Sequence, residues 1–375
     1  LRQCLDTKTF AQQRLWVMAT QINLAPVTTS AAWRGDELVK RNDWIFHLDG
    51  EQITELETLG AQLIADDPDL RRITLEDYPL DKCLAAVGDW KQRLKVGHGF
   101  VLVRGLRTHL YSDALSAAIY YVLGLHMGEP MRQNELGDLI DHIYATSDKK
   151  LEDPTALSKS IRDKLPFHSD SSDVVALMCL RPSREGGASR LVSGAAIYNE
   201  ILARRPDLAP LLFEPFHWDW RRQDPEAPRD TYTSAIISIA DGVFSMYAGS
   251  LYILTAQDYP QVPRLTEQQR ELLTLFEDIT YEPGMAIDMD FRPGDIQWLS
   301  NHAALHSRTE FIDFPEPQRR RHLLRLWLHL HERRPITEGF GKSVVQSRAS
   351  HRDDQASDSQ GNFRIMQAAV PRIIA

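Results

Sequence analysis

LPFHSDSSDVVALMCLRPSREGGASRLVS, residues 165–193, is the stretch from which the rest of the chain is read. His168 and Asp170 are two residues apart. On a strand that spacing puts both side chains on one face. A histidine nitrogen and a carboxylate placed there can share one metal ion. A short polar turn would contain the same pair, so a third donor is needed from elsewhere. His306, within NHAALHSRTEF at 301–311, is the best candidate. Two histidines and one carboxylate form the facial set of non-heme iron(II) centres, which leaves positions open for substrate and oxygen.

Outward from that stretch, VVALMCL at 174–180 reads as a buried strand. Gly186 and Gly187 supply the backbone freedom of a turn. Near the other end, LLRLWLHL at 323–330 is a strand in which period two puts Arg321, Leu323, Arg325 and Trp327 on one side. An arginine facing an interior needs an anion, because its charge is costly to leave unpaired. The competing reading places Arg321 in an exposed run with Arg319 and Arg320, Arg320 being the substitute if the register slips by one. His98 and His126 have no partner at ligand spacing and read as structural. His329 and His331 are two apart but have no nearby acidic partner at i+2, so no second metal site is expected.

LPFHSD, GGAS at 186–189, NHAALHSRTEF and RRHLLRLWL at 320–328 together resemble the taurine dioxygenase-like (TauD/TfdA) family. That family lies within the clavaminate synthase-like superfamily of iron(II)- and 2-oxoglutarate-dependent oxygenases. The similarity begins near Ala32 and runs to about Arg333. It implies an α+β fold, a double-stranded β-helix or jelly roll with helices on one outer side. It implies Fe(II), with 2-oxoglutarate and O2 as cosubstrates, held through His168, Asp170 and His306. Arg321, 15 residues after His306, matches the arginine that anchors the C5 carboxylate of oxoglutarate. Ser189 matches a hydroxyl, threonine in many relatives, that contacts the same group, and it also reads as a hairpin serine bonded to its own turn. Arg325 matches an arginine that can reach the acidic end of a substrate. Tyr144, on a strand preceding the metal pair, is a possible lining residue or an ordinary packed tyrosine. Arg325 has a rival reading too, as the partner of a protein carboxylate or of the cosubstrate.

The implied reaction is hydroxylation or desaturation of an aliphatic carbon, with oxoglutarate converted to succinate and carbon dioxide. The substrate expected is small, and a carboxylate, sulfonate or amino acid derivative. A catalytically silent jelly-roll binding module and a non-oxygenase metal enzyme are the alternatives.

The remaining sequence divides into an arm at 1–31, one catalytic domain at 32–335 with a helical N-terminal portion, and a tail at 336–375. Within that tail, 342–362 is polar and reads as partly flexible. Helices are expected at 50–65, 83–97, 112–128, from 195 to near Pro206 with a second turn following to 212, and at 266–280, the last with the Thr266/Gln269 capping-box spacing. SMYAGSLYI at 245–253 reads as an inner strand, and 296–299 as the start of the strand that delivers His306. The polar segment 148–164 reads as a loop suited to a lid. A net charge of −9 without a long basic run argues against a nucleic-acid partner. No apolar run is long enough for a membrane span. Three cysteines make no secreted disulfide pattern, no signal peptide is recognisable, and a cytoplasmic location is expected. Whether the chain forms a homo-oligomer is left open.

Overall fold

A computed structural model describes residues 24–134, 136–153, 156–220, 230–332, 334–341 and 362–371. The readings made for most of the 1–31 arm and for nearly all of 342–362 lie outside these residues. The first strands in chain order are β1 (Ile45–His47), β2 (Phe100–Arg104), β3 (Glu129–Pro130), β4 (Asp141–Tyr144), β5 (Leu165–His168) and β6 (Val174–Arg181). Next come β7 (Glu185–Gly186), β8 (Ser189–Ser193), β9 (Phe216–Asp219), β10 (Thr231–Ser234), β11 (Ile237–Ala240) and β12 (Val243–Met246). The last are β13 (Ala286–Met289), β14 (Ile296–Ser300), β15 (Ala304–Arg308), β16 (Phe311–Ile312) and β17 (His322–His329).

Two sheets carry the molecule. The first runs β1-β2-β14-β6-β17-β3, with β4 also paired to β17. The second runs β13-β8-β15-β5. Strand alternation then sorts the interior into layers. On the first sheet, Val101, Val103, Trp298, Ala176, Leu324 and Leu326 belong to the apolar cluster shared with the helices Leu84–Val96 and Asp113–Met127. Phe100, Leu102, Val175, Leu299 and Trp327, on the opposite face, meet Leu191, Ile287, Met289 and Ala304 of the second sheet. Val192 and Leu305 point away from that layer into a third cluster, with the helices Gly194–Arg204 and Glu267–Tyr281. Helices therefore cover both outer faces, not one as expected.

Local chemistry explains where these helices sit. Thr266 and Gln269 form the reciprocal capping box that their spacing predicts. The helix Gly50–Asp66 opens on a second capping box, Asp49 with Gln52. It lies on the helix Asp113–Met127, not directly on a sheet. A Cβ at Gly60 would come within 2.8 Å of Ile119, so the two backbones meet where no side chain intervenes.

Three expectations are corrected. Strand β5 ends at His168, and Asp170 lies just beyond it. β14 does not deliver His306: the chain turns at Asn301–Ala303 and crosses to the second sheet, where β15 carries it. Residues 245–253 are strand only to Met246, and Ser250–Thr255 is helical. The Tyr247 N–H still donates to the Ile236 carbonyl, and the chain then leaves β11 as the Ala248 carbonyl accepts from Ser169.

Part of the tail is docked. Phe363, Ile365 and Ala368 are buried, and Arg71 lies over the Phe363 ring. A directional hydrogen-bond chain holds this segment. Asp113, in the first turn of its helix, accepts two bonds from Arg181 at 2.8 and 2.9 Å. Arg181 donates to His322 Nδ1 at 2.6 Å. His322 Nε2 and His142 Nδ1 are 2.7 Å apart, and His142 Nε2 meets the Ala368 carbonyl at 2.9 Å. A carbonyl only accepts, so His142 donates through Nε2 and accepts at Nδ1. His322 must then donate through Nε2, and both rings are neutral. Burial, then the neighbouring His142 and Arg181, push His322 down to about 3.

A histidine held neutral in the native state but protonated when unfolded supports stability above its unfolded pKa and loses that support as pH falls. Stability is therefore expected to drop between pH 6.5 and 5, by about 1.4 kcal/mol per pH unit from His322. Denaturant unfolding across that window checks it. In His322→Gln the slope should flatten. An unchanged slope would contradict the neutral chain.

Candidate metal centre and active site

β5 and β15 are antiparallel neighbours, and their register sets His168 directly opposite His306. The two rings are 4.3 Å apart between centroids. The Pro166 carbonyl accepts from His168 Nδ1 at 2.9 Å, which leaves Nε2 bare. That Nε2 is 3.7 Å from Asp170 Oδ1, and His306 Nε2 is 3.8 Å from Asp170 Oδ2. One donor atom from each residue lies within 4.8 Å of the others. Among the described residues this is the one group of three so placed.

The protonation states suit a cation. Burial alone would raise Asp170, but Arg325, the two histidines and the Trp327 N–H outweigh it and hold the carboxyl at about 2. His306 is pushed down to about 3 by burial, then by His168, against the pull of Asp170. Near neutral pH the carboxylate is thus ionised and His306 offers a lone pair. Buried like this, the three groups fit an iron(II) ion, and the set is two imidazoles and one carboxylate.

Asp170 is held from both sheets. Trp327 Nε1 donates to its Oδ2 at 2.8 Å, and Arg325 Nη1 is 3.5 Å from the same oxygen. Its backbone N–H donates to Asn301 Oδ1 at 3.0 Å. Asn301 Nδ2 donates to the Ser172 carbonyl at 2.9 Å and to its hydroxyl at 3.0 Å. Ser169 donates through Oγ to the Asn301 carbonyl at 3.0 Å. Buried Asn301 therefore grips the loop that carries Asp170. Sequence reasoning missed it, although it lies five residues before His306 in the segment already singled out.

Arg321 is buried and not in an exposed run, unlike its neighbour Arg319. Its Nη2 meets only the Gly187 carbonyl, at 3.4 Å, and its guanidinium lies 5.1 Å from the Phe311 ring centroid. Among the described residues no carboxylate lies within ion-pair distance of it. Burial pushes its pKa down to about 10. Gly187 makes room for it: φ is +73°, and a Cβ there would stand 3.0 Å from Arg321 Nε. Ser189, buried on β8, donates to Gln297 Oε1 at 2.9 Å. It is not bonded to its own turn.

Arg325 is engaged with protein groups. Nε donates to Gln133 Oε1 at 2.8 Å and Nη2 to Asp141 Oδ2 at 3.0 Å, while Lys159 holds the other Asp141 oxygen at 2.6 Å. Gln133 and Asp141 were also missed, because they lie far away in sequence. Tyr144 is not brought to the centre. Its register partner is His322, so alternation turns it to the helix-covered face of the sheet. There its ring meets His322 edge-on and its hydroxyl donates to the Pro317 carbonyl at 3.4 Å. A narrow cleft, open to solvent, reaches His168 between Leu151, Ser158, Phe167, Leu251 and Tyr252. The expected lid segment forms one wall. Arg308 fixes its base by donating through Nη2 to the Ile161 and Asp163 carbonyls at 2.8 and 2.6 Å.

Comparison with known proteins adds three findings. The family described as "Taurine catabolism dioxygenase TauD, TfdA family" matches residues 66–327. FR-33289 synthase from Streptomyces rubellomurinus is 27% identical over 335 residues, covering 87% of this chain and 95% of that protein. Two solved structures share the fold. An asparagine oxygenase in complex with Fe(II), 2S,3S-3-hydroxyasparagine and succinate superposes with a TM-score of 0.57 at 15% identity, over 76% of this chain and 93% of its own. The non-heme iron oxygenase OrfP, in complex with Fe and alpha-ketoglutaric acid, gives 0.58 at 16% identity, with 76% and 93% covered.

Asp170→Ala is expected to abolish stoichiometric Fe(II) binding. Asn301→Ala, which leaves all three donors in place, should weaken it by roughly 10–100-fold. Anaerobic metal titration reads both. Wild-type affinity in Asp170→Ala would exclude the assigned centre, and wild-type affinity in Asn301→Ala would limit Asn301 to folding.

Proposed function

The chain belongs to the taurine catabolism dioxygenase TauD, TfdA family, and from that premise we propose how its residues divide the work. The protein is an iron(II)- and 2-oxoglutarate-dependent oxygenase. Bound iron with oxoglutarate and O2 supplies the oxidant for an unactivated aliphatic carbon: one oxygen atom goes to succinate and the other to the hydroxylated product. The observation that carries the assignment is the His168–Asp170–His306 cluster in a protein whose buried Arg321 has no carboxylate within ion-pair distance among the described residues.

His168, Asp170 and His306 would hold the iron(II), each with one donor atom. Arg321 takes the C5 carboxylate of oxoglutarate. A guanidinium presents a planar fork of donors that a carboxylate matches with two parallel bonds. Ser189 supports the same end. We read the two facing sheets as the jelly roll of the superfamily, residues 32–335 as its single domain, and the location as cytoplasmic. No helix among the described residues is long and apolar enough to cross a membrane.

The substrate is a small molecule with an acidic or amino-acid head group. The fold is shared with an enzyme solved around hydroxyasparagine, and Arg325 stands at the metal with Nη1 towards Asp170. Asp141 and Gln133 hold Arg325 in place, so its remaining donor direction serves recognition. In this reading Arg325→Leu raises the substrate KM far more than the oxoglutarate KM. Equal effects on both would remove the acidic-substrate argument.

For the cosubstrate, Arg321→Lys keeps the charge but loses the fork. Charge-assisted bonds contribute roughly 1.5–3 kcal/mol each, so about a tenfold or greater loss of oxoglutarate affinity is expected. Ser189→Ala should cost less, because it removes one neutral group. Titration of oxoglutarate into anaerobic, iron-loaded protein measures both. Wild-type affinity in Arg321→Lys, at equal iron occupancy, would overturn the assignment.

A further inference from the structure

The Gln297 side chain lies on the inner face of β14, fully buried, and one end of its amide has no protein partner. Its Oε1 accepts from Ser189, but Nε2 has no hydrogen-bond partner among the described residues. Its nearest cross-strand neighbours are Leu102 on β2 and Leu177 on β6, neither of which offers a side-chain acceptor. A buried amide N–H without an acceptor costs roughly 1–3 kcal/mol. Other buried groups, Trp298 Nε1 and Ser307 Oγ among them, also have no partner among the described residues, so the surroundings of Gln297 decide what it awaits.

The surroundings identify the chemistry. Ser189, which Gln297 contacts, is directly opposite Arg308 in the β8–β15 register. Arg321 reaches the carbonyl of Gly187, two residues before Ser189. Arg308 and Arg321 are both buried, and neither has a carboxylate within ion-pair distance among the described residues. The missing acceptor is therefore anionic. His306 and Arg308 are also two apart on β15, about 6.5–7 Å along a strand. That step separates the metal-ligand end of the cavity from its cationic end, a length suited to a five-carbon dicarboxylate.

We infer that Gln297 is a donor to the C5 carboxylate of oxoglutarate, acting with Ser189 as one unit. This rests on the cosubstrate assignment above. The amide can present either end to Ser189. With Oε1 accepting the hydroxyl, Nε2 faces the carboxylate directly. With the amide turned over, Nε2 donates to Ser189 Oγ and frees the hydroxyl hydrogen for the carboxylate. In both arrangements the pair delivers a donor that neither an isolated serine bonded to glutamine oxygen nor an apolar residue at 297 would supply. Gln297 is thus a specificity residue that selects a carboxylate at the far end of the cosubstrate.

The test is anaerobic titration of oxoglutarate into iron-loaded wild type, Gln297→Met, Ser189→Ala, the double variant and Arg321→Lys. Gln297→Met keeps the volume and removes both polar ends. It should weaken oxoglutarate roughly five- to thirtyfold with iron stoichiometry unchanged. The double variant should be no weaker than about twofold below Gln297→Met, because the two side chains act as one unit. Gln297→Asn keeps the amide but shortens its reach, and a similar loss there supports the same reading should Gln297→Met not fold. Wild-type affinity in the Gln297 variants while Arg321→Lys binds poorly would overturn this inference alone. Wild-type affinity in Arg321→Lys as well would overturn the cosubstrate assignment beneath it.

Discussion

One buried carboxylate has to stay charged between two sheets, and much of the architecture follows from that. Asp170 is largely shielded from water, and burial by itself would drive it to accept a proton. A neutral acid there would be a poor metal ligand. The compensation comes from two directions. β17 of the first sheet presents Arg325 and the Trp327 N–H. The second sheet presents His306 and the end of β5, with His168. Arg325 in turn is steadied by Asp141, Gln133 and, through Asp141, Lys159. The chain segments that supply these groups are far apart in sequence, so the centre can form only when both sheets are in register.

The cationic end of the cavity has the opposite imbalance. Arg104 meets Asp295 and Arg325 meets Asp141, as buried guanidinium groups ordinarily do. Arg321 and Arg308 instead rest on carbonyls and the Phe311 ring. Burial, then the neighbouring Arg321 charge, push Arg308 down to about 9. Two uncompensated buried cations destabilise the protein until an anion arrives. Anion binding is then linked to stability, because a ligand that binds only the folded state raises it. In the proposed reading, the metal ligands and these arginines together make a site that is complete only when loaded.

Much of this was legible in the residues. The HxD pair and the distal histidine found one another as expected, because a donor set of three in two short segments is a dense local signal. Arg321 was also readable, since alternation along LLRLWL turns it inward. Other features were not. The partner of Arg325 is 184 residues away, and no local pattern points to Asp141. Tyr144 looked like a lining residue until the β4–β17 register turned it to the other face. The six-residue helix after Gly249 is too short to show a 3.6-residue period. An amphipathic stripe, as at 50–66, says that a helix is covered without saying by what. Asn301 and Gln297 carried no signal beyond their residue type: an amide's role depends on which groups the fold leaves without partners.

The most direct measurement is an anaerobic crystal structure of the iron(II)–oxoglutarate complex. The account expects one metal ion bonded to His168, Asp170 and His306, with the C5 carboxylate of oxoglutarate paired to the Arg321 guanidinium. Metal bound elsewhere, or a carboxylate seated on Arg325 with Arg321 still resting on the Gly187 carbonyl, would contradict it.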